Sequence, residues 1–406
     1  MANPVFYQKD YRNIFDYLYD FGSCPFSEIP FTDADNLVLS GLAYIPFQEF
    51  EGTNNNFVSK TISELCIDFL AWLKVSYFAV EFPEWMKKSI FLATALLKCP
   101  RFSKATVTDF GYYFCDVNGA PAQFGALSID LPDHTFAIAF RGTDSSLAGW
   151  KEDFNLALKD STPGQEMAAR FTEVEIEKHH GNKYFRLMGH SKGGNFAVYA
   201  ASMLTLSQSK HLLNVYSDDG PGLSRNFFDS KGHMQIKNKI VHIVPYECVI
   251  GNLLNREEIT YVVESDEKTD FIMQHDLYTW KMDGIGFKKL KSVSPMSIFI
   301  RNSLNELVTV KLQDMKERES FINAFIDTLD KTGVTNVDHI FADPSSFIRL
   351  FLKTTKTDKD GRKVLIKGLK DTISCFTNHW GEYQANIKAS KANADLARSY
   401  TEIEEY

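Results

Sequence analysis

The alternation of apolar and polar positions divides the chain into three parts. Apolar residues recur at helical spacing through Tyr11–Phe21, Asn36–Phe47 and Ile62–Lys98, which predicts helices to about residue 95. Ser63–Leu73 is the clearest amphipathic segment, and a face of that kind packs on a core. Pro30 and the polar stretch Glu51–Phe57 mark turns between these helices. From Thr106 the period shifts towards two: Val107–Val117, Gln123–Leu131 and Thr135–Phe140 predict strands, separated by Asn118-Gly119 and Pro132-Asp133 as a hairpin or meander. Asn155–His180 reads as helix, and further strands are predicted at Leu212–Tyr216, Lys239–Pro245 and Ile259–Ser265. Alternation of this kind implies an α/β fold, a mostly parallel central sheet with helices on both faces. Beyond Pro295 the helical period returns, over Ser297–Asp330, near Ser345–Thr354 and over Lys363–Ser390, with Lys353–Lys363 between the last two as a solvated polar loop. The expected organisation is an N-terminal helical segment packed on the core (1–95), a core (96–295), and a C-terminal helical region (296–406) that caps a cleft or offers an interaction surface.

One stretch carries chemistry. In Tyr184–Leu204 a short strand-like run ends at Gly189 and a helix of small residues begins at Ser191, so that Gly189-His-Ser-Lys-Gly193 forms a GxSxG nucleophile elbow. The flanking glycines suit a strained strand-to-helix turn, where a Cβ would strike the neighbouring strand or helix. Roughly one chain in ten of this size contains GxSxG by chance, so its position between a strand and a helix decides its meaning. Ser191 would sit at a helix N-terminus, where free N–H groups and the positive dipole end favour an oxyanion.

A serine needs a base, and the base needs an acid to orient it. With the chain order serine, acid, histidine, the candidates for the base are His211, His233, His242, His275, His339 and His379. His211 opens a strand, His242 alternates within one, and the last two lie in the helical tail. His275, in Asp270–Trp280 after the last parallel strand, is the expected base. Two positions compete for the acid: Asp219, in Tyr216-Ser-Asp-Asp-Gly-Pro-Gly222 after one strand, and Glu247, in His242–Gly251 after the next. Asp218 is a third. Oxyanion donors are expected from the backbone N–H of Lys192 and from Thr143, which closes the strand Ala137–Phe140 and would offer its N–H and its hydroxyl. The Lys192 side chain either recognises an anionic substrate group or pairs internally with Glu152 or Asp153.

Composition narrows the classes. A formal net charge of −8 over 406 residues gives neither the basic footprint of a nucleic-acid binder nor a polybasic membrane anchor. No uncharged apolar run reaches the roughly 18 residues of a spanning helix. Six scattered cysteines without a CxxC pair read as reduced thiols, and the N-terminus has no basic region followed by an apolar one, so a cytoplasmic location is expected. There is no HExxH, Cys/His cluster, GxxxxGK[ST] or GxGxxG, so neither metal nor cofactor is expected.

Phe140-Arg-Gly-Thr143, followed by Trp150-Lys-Glu-Asp153 and Gly189-His-Ser-Lys-Gly-Gly194, resembles the class 3 lipase family of α/β-hydrolases. A bacterial branch of that superfamily, with GHSKGGN, DGPG and QHD segments, is the nearer likeness, here Gly189–Asn195, Asp219–Gly222 and Gln274–Asp276. The resemblance spans about residues 30–290. It implies Ser191 as nucleophile, Thr143 and Lys192 in the oxyanion hole, and His275 as base. The class 3 acid lies in a D-x-V segment that Glu247-Cys-Val249 matches with Glu for Asp, which keeps Asp219 in contention. Asp144–Gly149 stands where the family has its lid and is short and only mildly apolar, which speaks against interfacial activation. The implied function is a serine hydrolase of a small-molecule or lipid-like acyl ester, with a thioester or amide as other substrates of the same triad. The competing expectation is a catalytically weak hydrolase fold serving as an interaction scaffold.

Overall fold

A computed structural model describes residues 13–52, 57–76, 84–117, 120–143, 152–153, 155–156, 159–268, 270, 273–331 and 359–404. The lid-like segment 144–149, Trp150 and the helix expected near 345–354 lie outside the described residues.

The N-terminal helices are α1 (Ile14–Phe21), α2 (Asp33–Leu42), α3 (Ile62–Ser76), α4 (Glu84–Leu96) and the single turn α5 (Pro100–Ser103). Both α1 and α2 begin with a capping box, Asn13 with Asp16 and Thr32 with Asp35, in which each side chain takes up a backbone N–H left free at the helix start. Within Ile62–Lys98 the described helices are α3 and α4, and residues 77–83 between them lie outside the described residues. A two-residue strand that alternation could not reveal, β1 (Lys60–Thr61), precedes α3 and pairs with the next strand.

The sheet contains β1, β2 (Thr106–Val117), β3 (Ala120–Asp130), β4 (Phe136–Phe140), β5 (Phe185–His190), β6 (Leu212–Asp218), β7 (Ile240–Pro245), β8 (Thr260–Val263) and β11 (Lys289–Leu290), side by side in that order. β9 (Met282–Asp283) and β10 (Gly286–Phe287) form a separate two-stranded ribbon. Strands β4 to β8 run parallel, while β1 to β4 and the β8–β11 pair are antiparallel. The sheet is thus mixed, with its parallel part at the centre. All five residues of β4 are buried, as expected of a strand covered on both faces.

Side-chain alternation assigns the two faces. Ala137, Ala139, Met188, Tyr216, Ile243 and Val263 share a core with α1 to α4, whereas Phe136, Ile138, Phe140, Leu187 and Val215 share one with α6 (Pro163–Lys178) and α7 (Lys192–Ser202). Each fully buried Phe or Leu contributes about 1.5–3 kcal/mol relative to exposure. Small side chains on the first face let the N-terminal helices approach closely, and the two share one continuous core. The helix expected over Asn155–His180 has its main start at Pro163, because Thr162 and Gln165 form a capping box there.

After β11 come α8 (Pro295–Glu306), a π turn (Leu307–Lys311), α9 (Met315–Lys331) and α10 (Lys359–Glu404). The single helix expected over Ser297–Asp330 is broken by that turn. Helix α10 is longer than its predicted span, taking in the end of the expected polar loop. Phe299 of α8 packs against Phe376, Trp380 and Tyr383 of α10 at ring-centroid distances of 5.4, 5.8 and 4.8 Å.

Candidate active site

Ser191 leaves β5 in a left-handed conformation, φ 59° and ψ −130°, and α7 begins at the next residue. The turn is possible because of its glycines. A Cβ on Gly189 would lie 2.4 Å from the Gly193 carbonyl carbon, and one on Gly193 would lie 2.1 Å from the Phe140 oxygen. The Ser191 N–H donates to the Asp218 carbonyl at 2.8 Å, which ties the elbow to the end of the adjacent strand.

Of the two carboxylates that compete for the acid, one meets the histidine. Asp219 Oδ2 lies 2.6 Å from His275 Nδ1, with the carboxylate side chain 0% exposed and the imidazole 23% exposed. Asp219 is itself left-handed, φ 46°, immediately past β6. Its other oxygen accepts from the Gly251 N–H at 3.0 Å and from the Cys248 thiol at 3.0 Å. Burial and the adjacent Asp219 push the Cys248 thiol well above its usual range, so it stays protonated and donates. Glu247 points elsewhere: its carboxylate accepts from Ser294 Oγ, at the N-cap of α8. Burial raises the Glu247 pKa and the Ser294 bond opposes this.

His275 ends a short 3₁₀ turn, Met273–His275, held on several sides. Gln274 accepts from the Glu247 N–H at 2.9 Å through its side chain and from Trp280 Nε1 at 2.9 Å through its carbonyl. Of the other histidines weighed for the base, His242 is buried in β7 and bonds Thr260, His233 is buried in the short helix Lys231–Ile236, and His379 pairs with Glu306 in the C-terminal helices.

Thr143 stands just past β4, and its hydroxyl donates to Asp153, 2.9 and 2.7 Å from the two carboxylate oxygens. The hydroxyl proton is thereby committed, which leaves the Thr143 N–H as the donor available from this residue. Burial is the main cause that raises Asp153 to about 6, against the lowering effects of Lys192 and the Thr143 bond. The Lys192 side chain is buried, with Nζ 3.0 Å from Glu152 Oε2 and 3.2 Å from Gln123 Oε1, which is the internal pair of the two readings. Glu152 also accepts from the Gln123 and Gly164 N–H groups at 2.9 and 3.0 Å, as a buried ion pair requires.

Around this constellation Asn36, Ser40, Tyr44 and His190 escape a linear reading, and Asp218, the third candidate for the acid, is bonded by two of them. Asp218 is fully buried, bonded by Asn36 Nδ2 and Ser40 Oγ at 2.8 Å each, and burial raises it to about 7. Tyr44 Oη lies 2.8 Å from His190 Nδ1, and His190 Nε2 lies 2.7 Å from the His275 carbonyl. Asn36, Ser40 and Tyr44 recur every four residues along and just past α2, so they line one face of that helix and its continuation. That spacing was the available signal. No group of three or more His, Cys, Asp or Glu among the described residues is placed to hold a metal, and no helix among them is long and apolar enough to cross a membrane.

A central parallel sheet flanked by helices, with a serine on a left-handed strand-to-helix turn and a histidine–aspartate pair at the neighbouring strand end, is the architecture of an α/β-hydrolase. The family model described as Mbeg1-like matches residues 96–327, and the chain belongs to the Mbeg1-like family. That span contains Thr143, Ser191, Asp219, Glu247 and His275, and begins at the last residue of α4. No curated protein matches the chain. Among solved structures, lipase II from Rhizopus niveus aligns over 56% of this chain and 77% of its own, at 11% identity and a TM-score of 0.35, too distant a likeness to bear on function.

Proposed function

We propose that the protein is a serine hydrolase of acyl esters, with Ser191 as nucleophile, His275 as base and Asp219 as the acid. The observation that carries this reading is the 2.6 Å contact between His275 Nδ1 and Asp219, at the strand end beside the Ser191 elbow. The engagement of Glu247 with Ser294 supports Asp219 over it.

In the first half-reaction Ser191 Oγ attacks the ester carbonyl carbon and passes its proton to His275 Nε2. Asp219 holds Nδ1–H, which keeps the free lone pair on Nε2 and stabilises the imidazolium that forms. The oxyanion falls to the N–H groups of Thr143 and Lys192. Collapse expels the alcohol, which takes the proton from Nε2 and leaves an acyl-serine. Water then attacks the acyl carbon while His275 accepts its proton, and release of the carboxylic acid restores Ser191. A lipid-like acyl ester is the substrate suggested by the class 3 lipase resemblance of the strand end and the elbow. Matched ester, thioester and amide substrates would separate the three acyl-transfer activities open to one triad.

The test is covalent labelling with a fluorophosphonate followed by mass spectrometry. Wild type is expected to take one adduct, on Ser191, and Ser191→Ala none. A folded wild-type protein that resists labelling would overturn the enzymatic reading and favour a scaffold.

A further inference from the structure

The histidine proposed as base sits on a 3₁₀ turn, not on a strand or a long helix, so its position depends on what grips that turn. We propose that Tyr44, from the N-terminal helical layer, is a positioning residue for His275 and acts through the imidazole of His190. This rests on the serine hydrolase reading and extends it to a part of the chain that precedes the family-matched span.

The hydrogen bonds fix the direction of every proton in the relay. The His275 carbonyl only accepts, so His190 Nε2, 2.7 Å away, carries a hydrogen. Burial and the nearby His275 hold the His190 pKa well below its usual value, so the ring is neutral and its Nδ1 is an acceptor. Tyr44 Oη, 2.8 Å from Nδ1, must therefore donate. Burial raises the Tyr44 pKa, which keeps the phenol protonated. The Tyr44 hydrogen bond to Nδ1 thus stabilises the tautomer of His190 that the His275 carbonyl requires, the one that can hold the backbone of the base. The rings of His190 and His275 also lie 4.5 Å apart, in contact.

Space has been made for the phenol. A Cβ on Gly142, next to Thr143, would lie 2.0 Å from Tyr44 Oη, so the strand end that supplies the proposed oxyanion donor must have glycine for Tyr44 to reach His190. A second grip comes from the same layer on the other side of His275. Lys88 of α4 pairs with Asp276, whose other oxygen accepts from the Tyr278 N–H at 3.2 Å, and Phe15 of α1 stacks on Tyr278 at 5.6 Å. The titratable and charged groups that face the relay are His275 and Lys88 near His190, and Arg141, Asp153, Asp218 and Asp276 near Tyr44.

Neither Tyr44 nor His190 touches the reacting atoms in this scheme, so the test is a double-mutant cycle read in kcat and KM. Tyr44→Phe is expected to lower kcat and the rate of fluorophosphonate labelling about tenfold, with KM within about twofold, because a displaced base slows chemistry more than binding. On a His190→Ala background, Tyr44→Phe is expected to cause no further loss. An unchanged kcat in Tyr44→Phe, or equal losses in both backgrounds, would overturn the relay. Should His190→Ala not fold, His190→Leu, which fills the space but neither donates nor accepts, takes its place in the cycle with the same expectation. Labelling that persists in Ser191→Ala would instead bring down the triad itself, whereas labelling lost in Ser191→Ala with Tyr44→Phe at wild-type rate removes only the role of Tyr44.

Discussion

Asp219 and Glu247 occupy equivalent places in the chain, each just past a neighbouring parallel strand, and the structure sends them to opposite tasks. Asp219 is fully buried, receives the Gly251 N–H and the Cys248 thiol on one oxygen and presents the other to His275. Glu247 is only part-buried and binds the N-cap serine of α8, so it fastens the C-terminal helices to the sheet. What separates them is the partners brought by distant segments, not the strand end that each closes. A carboxylate at a strand end becomes an orienting acid when its other lone pairs are already satisfied and it cannot turn away.

The comparison is broken most sharply by exchange of each carboxylate for its amide. Asp219→Asn keeps the shape but permits the wrong His275 tautomer, and kcat is expected to fall on the order of 10³–10⁴-fold. Glu247→Gln is expected to leave kcat within about twofold, since Ser294 can still donate to the amide oxygen. Steady-state kinetics on both variants would reverse the assignment if the losses were exchanged.

A smaller effect is expected at Cys248. Cys248→Ala removes one donor from Asp219. Loss of this supporting bond leaves the carboxylate freer to turn from His275 and is expected to reduce kcat several-fold, with Cys248→Ser restoring it. A kcat that does not fall in Cys248→Ala would mean that the thiol only fills space.

Glu247→Ala is expected to destabilise by about 1–2 kcal/mol in denaturant unfolding, because Ser294 is buried and loses its acceptor. The smallest change concerns pH. Asp218 is raised from 3.8 to about 7 chiefly by burial. An acid whose folded pKa lies above its unfolded value holds its proton longer when folded, so its contribution to stability declines as pH rises from about 4 to about 7. Asp218→Asn is expected to flatten that decline in thermal melts across the same range. An unaltered slope would show that Asp218 ionises as readily folded as unfolded.

What the sequence disclosed follows from how local each signal is. The elbow was legible because Gly189, Ser191 and Gly193 state their own steric reason within five positions. The sheet was legible from period-two runs, among them Thr135–Phe140, which contains β4. The pairing of Lys192 with Glu152 was one of the two roles that the sequence left open for it. The choice between Asp219 and Glu247 was not legible, because it depends on Cys248, Gly251 and Ser294 arriving from elsewhere. The Asn36, Ser40 and Tyr44 face of α2 was hidden for the same reason: its partners lie about 150 to 180 residues away in sequence. The breaks at Leu307–Lys311 and before Pro163 escaped because a sustained helical period does not register a π turn or a late cap.

The most direct measurement is a crystal structure of the wild-type protein inactivated by an alkyl fluorophosphonate. The expected result has phosphorus bonded to Ser191 Oγ, the phosphoryl oxygen within hydrogen-bond distance of the Thr143 and Lys192 N–H groups, and His275 Nδ1 on Asp219. Phosphorus bonded to another residue, or His275 turned from Asp219 to Glu247, would contradict the account.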